Sequence, residues 1–100
     1  MHKLLVLYPE PTDRDAFERH YRDTHLPLCA KLPGVVELSF ALGIDDGPYW
    51  AVFEATFASG GALGEALGSP EGQAVQADVP NYATGGAVVV TYAQEVPALA

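Results

Sequence analysis

The fold of this chain is decided by the stretch 35-VVELSFALGIDDGPYWAVFEATF-57, which holds two alternating patterns around a short turn. In each half, apolar and polar residues alternate with a period of two, which is typical of half-buried β-strands. The residues between them, 44-IDDGP-48, have the Asp, Gly and Pro composition of a turn. The stretch therefore predicts an antiparallel β-hairpin.

The alternation also predicts which side chains share a face of the hairpin. In the second strand, Trp50 and Val52 are expected opposite Phe53 and Phe57, so both faces carry apolar residues. The first strand is expected to place four apolar residues on one face: Val36, Leu38, Phe40 and Leu42.

A strand and a helix are predicted before the hairpin. Residues 2–8 form an apolar run that ends at two prolines, which indicates a strand. Thr12 or Asp13 then caps a helix. Pro27 has no N–H to donate to the carbonyl of Asp23, so the helix is expected to kink, or to stop and restart, around His25.

Two short helices and a last strand are predicted after the hairpin. The first helix covers residues 59–68, and the second begins at Ser69-Pro70-Glu71 and closes at Pro80. Residues 87–93 form a valine-rich strand, and residues 95–100 are expected to be a loose tail. With right-handed crossovers, this βαββαβ order predicts an α+β, ferredoxin-like domain over residues 1–100, with a four-stranded antiparallel sheet and helices on one face.

Composition restricts the possible partners and location. Five basic and thirteen acidic residues give a net charge of −8, and every basic residue lies within the first 31 positions. Such a surface repels phosphate, so neither nucleic acid nor an anionic membrane is an expected partner. Cys29 is the only cysteine, which excludes a disulfide. The run before Pro9 is too short for a signal peptide, so a cytoplasmic location is expected.

The sheet is expected to form a homodimer. Helices cover one face, and the other face of a stable monomer should then be polar. Instead, Leu5 and Leu7 lie opposite Leu4 and Val6 in the first strand, and the last strand is apolar on both faces. A second copy packed sheet to sheet would cover this surface. The sequence does not decide whether Val88 or Val89 faces the partner, and coverage by loops or the tail is the alternative.

His25 is the first candidate for chemistry. It recurs at a spacing of four with Phe17 and Tyr21, so the three share a helical face that must pack on the sheet. An imidazole beside an apolar pocket acts as a general acid or base near neutral pH. The alternative is a core histidine bonded to a backbone carbonyl. The hydroxyl of Tyr21 or Tyr82 would orient a substrate, and apolar rings such as Phe17 would exclude water.

The remaining polar residues carry weaker expectations. His20 lies roughly 140° from His25 on an ideal helix, so it is expected to face solvent. Cys29 is either a small core residue or a nucleophile with His25 as its base. No spacing typical of metal ligands occurs, so neither a metal nor another cofactor is expected. Three residues at the end of the second helix either line a pocket mouth or cap and solvate that end: Asp78, Asn81 and Tyr82.

A set of short motifs, weak one by one but ordered along nearly the whole chain, resembles the EthD family of the dimeric α/β-barrel superfamily. The motifs are Tyr8-Pro9, Phe17, His20-Tyr21, His25-Leu26-Pro27-Leu28, Leu32-Pro33-Gly34, Phe57, Ser69-Pro70-Glu71-Gly72-Gln73 and Asp78-Val79-Pro80.

The resemblance implies a homodimeric barrel with a ligand cavity between sheet and helices. Relatives in the superfamily include methylmuconolactone isomerases, polyketide cyclases, dehydratases and cofactor-free monooxygenases. In the isomerases a histidine that matches His25 is implicated in proton transfer. Those enzymes also use a later cysteine, and this chain has none after Cys29, so their methylisomerisation is not expected here.

Two functions remain open from the sequence. The first is a cofactor-independent isomerase, cyclase or dehydratase acting on a small cyclic or aromatic compound, with His25 moving a proton. The second is a non-catalytic protein that binds a small hydrophobic metabolite. A dimerisation module without a pocket is a third, purely structural possibility.

Overall fold

The computed structural model describes residues 1–99 and shows one four-stranded antiparallel sheet in the order β2-β3-β1-β4. The strands are β1 His2–Tyr8, β2 Val35–Leu42, β3 Ala51–Phe57 and β4 Val88–Ala93. The helices are α1 Arg14–His20, α2 Leu26–Cys29, α3 Gly60–Gly68 and α4 Pro70–Tyr82, with a π-helical turn Tyr21–His25 between α1 and α2. The predicted ferredoxin-like fold is confirmed.

Serine and aspartate caps begin three of the helices. The carboxylate of Asp13 accepts a hydrogen bond from the backbone N–H of Ala16, which starts α1. Ser59 and Ser69 cap α3 and α4 in the same way. Of the predicted tail, residues 95–99 form neither helix nor strand, and residue 100 lies outside the described part of the chain.

The interruption predicted around His25 takes the form of the π-helical turn. The backbone N–H of Leu26 donates to the carbonyl of Tyr21, five residues back instead of four. Pro27 lies in the first turn of α2, where a missing N–H costs little. The helical segment therefore continues past the proline with one wider turn.

The register of the central strand assigns both faces of β4. Val6 is buried under the helices and pairs with Val89, whereas Leu7 points the other way and pairs with Val88. Because directly paired residues share a face, Val89 lies on the helix side and Val88 lies on the open side. We call the side without helices the open face. Its apolar residues are Leu5, Leu7, Val52, Val88, Val90 and Tyr92.

Two predictions about the hairpin faces are wrong. A β-bulge between Val35 and Glu37 takes Val36 out of the apolar row and leaves it 56% exposed. Trp50 precedes the first residue of β3 and does not lie on the open face. Its ring instead packs edge to face on Phe17 of α1, with 4.9 Å between centroids.

Candidate functional site

A cavity of about 130 Å³ lies between the sheet and the helices. Its size is close to the ~150 Å³ of an engineered apolar cavity that binds benzene, so it has room for about one six-membered ring. Its lining includes four residues with polar side-chain groups, Tyr8, His25, Cys29 and Gln76, and among the described residues no Lys or Arg lines it. Most of the wall is apolar, with Leu4, Val6, Phe53 and Val89 from the sheet and Leu67, Val75 and Val79 from the helices.

Asp78 of α4 holds two histidines on one carboxylate. Its Oδ2 lies 2.9 Å from Nδ1 of His25, and its Oδ1 lies 2.8 Å from Nε2 of His20. The side-chain amide of Asn81 donates a further hydrogen bond to Oδ1 at 3.0 Å. Both carboxylate oxygens are therefore fully engaged, and the orientation of the carboxylate is set from three sides.

The hydrogen-bonded chain continues from His25 to the cavity wall. Nε2 of His25 lies 2.9 Å from the hydroxyl of Tyr82, which lies 2.7 Å from the hydroxyl of Tyr8. Tyr8 is the last residue of β1 and lines the cavity. We call this series Asp78, His25, Tyr82 and Tyr8 the buried relay.

The direction of each hydrogen bond in the buried relay follows from the charge of Asp78. An ionised carboxylate only accepts, so Nδ1 of His25 carries a proton and donates to it. In a neutral imidazole Nε2 is then an acceptor, and the hydroxyl of Tyr82 donates to it. Tyr82 in turn accepts from Tyr8. The arrangement presents His25 as a base.

Burial and hydrogen bonding set the charge states. Burial lowers the pKa of His25, and the hydrogen bond and negative charge of Asp78 offset only part of this effect. Burial alone would raise the pKa of Asp78, but hydrogen bonds from Asn81, His20 and His25 outweigh it and hold that pKa below its ordinary value. At neutral pH, therefore, Asp78 is charged and His25 is neutral.

The helices bring these residues together by simple spacing. Asp78 and Tyr82 are four residues apart on α4, so both face the turn that carries His25. The ring of Tyr21 stacks on His25, with 5.4 Å between centroids, and holds it from the other side. These contacts leave His25 only 2% exposed.

The expectation that His20 faces solvent is wrong. Its Nε2 bonds to Asp78, and its ring stacks on Tyr82 with 5.7 Å between centroids. The angle of about 140° assumed an ideal α-helix, whereas the π-helical turn fits an additional residue between His20 and His25. The wider turn directs both histidines to one carboxylate.

The end of α4 packs against the helical turn that carries His25. The sequence left open whether Asp78, Asn81 and Tyr82 cap and solvate that end or belong to a pocket. Asp78 and Tyr82 are buried and bonded to His25, and Asn81 supports Asp78. Sequence reasoning missed Tyr8, because nothing in a strand-end tyrosine indicates that its hydroxyl meets a partner 74 positions away.

Phe17 and Tyr21 lie in the aromatic core behind the buried relay. Their rings stack with 5.2 Å between centroids, and the ring of Phe17 meets Tyr82 edge to face at 5.0 Å. Both are fully buried, and neither is among the residues that line the cavity. Their contact with a ligand, like that of Tyr82, stays a prediction.

Cys29 lines the cavity as a neutral thiol. Burial raises its pKa to about 12, so the thiolate needed of a nucleophile is not formed at neutral pH. Both nitrogens of its predicted base, His25, are bonded to Asp78 and Tyr82. This geometry favours the core residue over the nucleophile.

Residues 1–99 contain neither a cluster of metal ligands nor a membrane-spanning helix. No group of three or more His, Cys, Asp and Glu side chains there is placed to hold a metal ion. No helix in the same part of the chain is long and apolar enough to cross a bilayer.

Replacing Tyr21 with Phe is expected to raise the free energy of unfolding by about 1 kcal/mol. Among the described residues, its hydroxyl is buried without a hydrogen-bond partner, so the substitution removes an unsatisfied group. Thermal unfolding should show a Tm higher by about 4–8 °C. Tyr82→Phe is the matched control and should lower Tm, since it breaks two hydrogen bonds. Equal destabilisation by both variants would contradict the assignment, and weaker ligand binding by Tyr21→Phe would support the predicted ligand contact.

Stability is expected to fall as the pH drops below about 6.5. Because burial lowers the pKa of folded His25, the unfolded chain takes up a proton over a range of pH in which the folded chain does not. The loss is at most about 1.4 kcal/mol per pH unit for this one group. Urea denaturation from about pH 8 to about pH 5 measures the slope. His25→Gln should flatten it and His2→Gln should not; an unchanged slope in His25→Gln would count against a lowered pKa.

Comparisons with known proteins agree with this architecture. The EthD domain profile matches residues 9–86. The chain is 36% identical over 96 residues to the uncharacterized 11.0 kDa protein of the thcB–thcC intergenic region of Rhodococcus erythropolis, covering 90% of this chain and 91% of that protein.

Two solved structures illustrate the similarity. An ethyl tert-butyl ether d (EthD) family protein of Bacillus halodurans superposes with a TM-score of 0.88 at 27% identity, covering 95% of this chain and 99% of that one. A dimeric ferredoxin-like protein of unknown function from Thermobifida fusca superposes with a TM-score of 0.70 at 17% identity, covering 93% and 89%.

Proposed function

This chain belongs to the EthD family, and on that premise we propose that it binds a small cyclic or aromatic metabolite beside His25 and catalyses a proton transfer on it. The reaction classes that fit are isomerisation, cyclisation and dehydration, each of which needs a proton to leave one atom and join another. The proposal includes no metal or organic cofactor. We also propose that the protein works in the cytoplasm.

The buried relay is the observation that carries this proposal. A neutral imidazole oriented by a carboxylate is the usual arrangement of a general base. Here the imidazole belongs to the wall of a mostly apolar cavity of about 130 Å³, from which a bound ring would exclude water. His25 has on one nitrogen a carboxylate, which fixes its tautomer, and on the other a hydroxyl, which connects it to Tyr8 in the cavity wall.

We propose that the working unit is a homodimer joined through the open face. Val88 is 40% exposed and Val90 41% exposed in the single chain, beside Leu5, Leu7 and Val52. A contiguous apolar surface of this kind is typical of a protein interface. The protein of Thermobifida fusca, which has the same fold and is dimeric, supports a dimer here as well.

Deuterium exchange from D₂O into a cyclic ketone tests the proton transfer without knowledge of the natural substrate. The wild-type protein is expected to speed the exchange of α-hydrogens of 2-cyclohexen-1-one with D₂O, followed by NMR. His25→Ala should lower that rate by about 10²-fold or more, as is typical for the loss of a general base. His2→Ala is the matched control, since His2 lies on β1 away from the cavity.

The alternative function is non-catalytic binding of a hydrophobic metabolite, which the largely apolar cavity wall also favours. In that case toluene or phenol would bind and shift the methyl resonances of Val75 and Val79, with no exchange into any cyclic ketone. An equal exchange rate in His25→Ala and wild type would reject the role of His25.

A further inference from the structure

The geometry of His25 leaves neither of its nitrogens free to meet a ligand. Nδ1 is bonded to Asp78 at 2.9 Å, and Nε2 is bonded to Tyr82 at 2.9 Å. His25 lines the cavity, but both of its nitrogens are already bonded to protein groups. The hydroxyl of Tyr8, in contrast, donates one hydrogen bond to Tyr82 and keeps a lone pair, and its residue also lines the cavity.

We infer that Tyr8 is the catalytic residue that exchanges the proton with the ligand, and that His25 acts through Tyr82 without touching the ligand. The inference rests on the proposed function and names the atom at which its chemistry happens.

The transfer balances as a shift of one proton along each hydrogen bond of the buried relay. The ligand's C–H or O–H bond breaks, its electron pair stays on the ligand, and the proton bonds to the oxygen of Tyr8. The phenolic proton of Tyr8 passes to Tyr82, and the proton of Tyr82 passes to Nε2 of His25. The products are a ligand anion and an imidazolium that faces the carboxylate of Asp78. The reverse shift returns a proton to the same or another ligand atom.

The proton shift leaves no phenolate at Tyr8 or Tyr82, where burial makes a negative charge unfavourable. Burial raises the pKa values of Tyr8 and Tyr82, so a phenolate at either position is unfavourable. In the concerted shift each tyrosine loses one proton and gains another and both stay neutral. The positive charge forms only at His25, beside the one carboxylate of the buried relay.

The cavity wall also restricts the class of ligand. Within the described part of the chain no Lys or Arg lines the cavity, so a ligand carboxylate or phosphate would lack a counter-charge there. The hydroxyl of Tyr8, which can donate and accept, and a mostly apolar wall fit a neutral ring with a single polar group, such as a cyclic ketone, an enol or a phenol.

Phenol and toluene form a matched pair of probes for this contact. In wild-type protein, phenol is expected to shift the side-chain ¹⁵N resonance of Nε2 of His25 on binding, and toluene is not. In Tyr82→Phe, phenol should bind without shifting that resonance. In Tyr8→Phe the affinity for phenol should fall by about tenfold while that for toluene is kept. Tyr49→Phe, a substitution in the loop between β2 and β3, should behave as wild type.

The two proposals fail in different ways. If phenol shifts His25 in Tyr82→Phe as much as in wild type, the imidazole meets the ligand directly and the inference is overturned, while the proposed function stands. If Tyr82→Phe does not fold, Tyr8→Phe provides the same test. In that variant, a phenol-induced shift of the His25 resonance as large as in wild type would overturn the inference. If neither probe binds the wild-type protein, the proposed ligand cavity fails and the inference fails with it.

Discussion

Asp78→Asn is expected to invert the tautomer of His25 and to abolish its use as a base. Asn81 donates to Oδ1 of residue 78, so this position must remain an acceptor. The amide nitrogen of the new Asn then faces Nδ1 of His25, which must accept. The proton of the neutral imidazole moves to Nε2, where it points at Tyr82.

The consequence for catalysis is large because Nε2 of His25, once protonated, can no longer accept the proton of Tyr82. The equivalent change in the Ser-His-Asp triad keeps the geometry and lowers kcat by about 10⁴-fold through the same tautomer effect. We expect the exchange of cyclohexenone α-hydrogens to fall by about 10²- to 10⁴-fold here. The ¹⁵N resonances of His25 measure the tautomer independently of any substrate.

The control is Asp23→Asn, which removes an exposed carboxylate from the same helical segment. It should leave both the tautomer and the exchange rate unchanged. If Nδ1 of His25 remains protonated in Asp78→Asn, the hydrogen-bond directions assigned to the buried relay are wrong.

Val90→Lys is expected to convert the proposed dimer into monomers. Val90 lies on β4 at the open face, paired with Leu5 of the central strand. In a two-fold interface the substitution occurs twice, and each ammonium group would be buried without a partner. The dissociation constant of the dimer should rise by on the order of 10²-fold or more, measured by sedimentation velocity.

Ala77→Lys adds the same charge to an exposed position of α4, on the helix side. This variant should remain dimeric. A wild-type protein that sediments as a monomer, or a Val90→Lys variant that stays dimeric, would contradict the proposed interface.

Secondary structure and topology could be predicted because their signals are local. The alternation over residues 35–57 and the start signal Ser69-Pro70-Glu71 of α4 act within a few residues of themselves, so the element order followed from the sequence. The location of the helix interruption followed from Pro27 for the same reason. Its form did not, because a π-helical turn and a kink both relieve a missing donor.

The candidate site could be predicted in part. The i, i+4 spacing of Phe17, Tyr21 and His25 placed the histidine in the interior, where it lies. Its partners on α4, Asp78 and Tyr82, are 53 and 57 positions away, and Tyr82 in turn bonds to Tyr8 of β1 across 74 positions. Only the packing of α4 against the helical turn and β1 brings each of these pairs within 3 Å. Spacing rules describe one element at a time and do not reach across that distance.

The sequence by itself determined the order of strands and helices, their caps and the apolar character of both sheet faces, since these depend on neighbouring residues. The tertiary structure decided which valine of β4 faces the open side, where His20 points and which hydroxyl ends the buried relay. Those outcomes depend on strand register, on one additional residue in a helical turn and on the docking of α4. A small change in any of these three features reverses or redirects a side chain. They are fixed only when the strands and helices pack together.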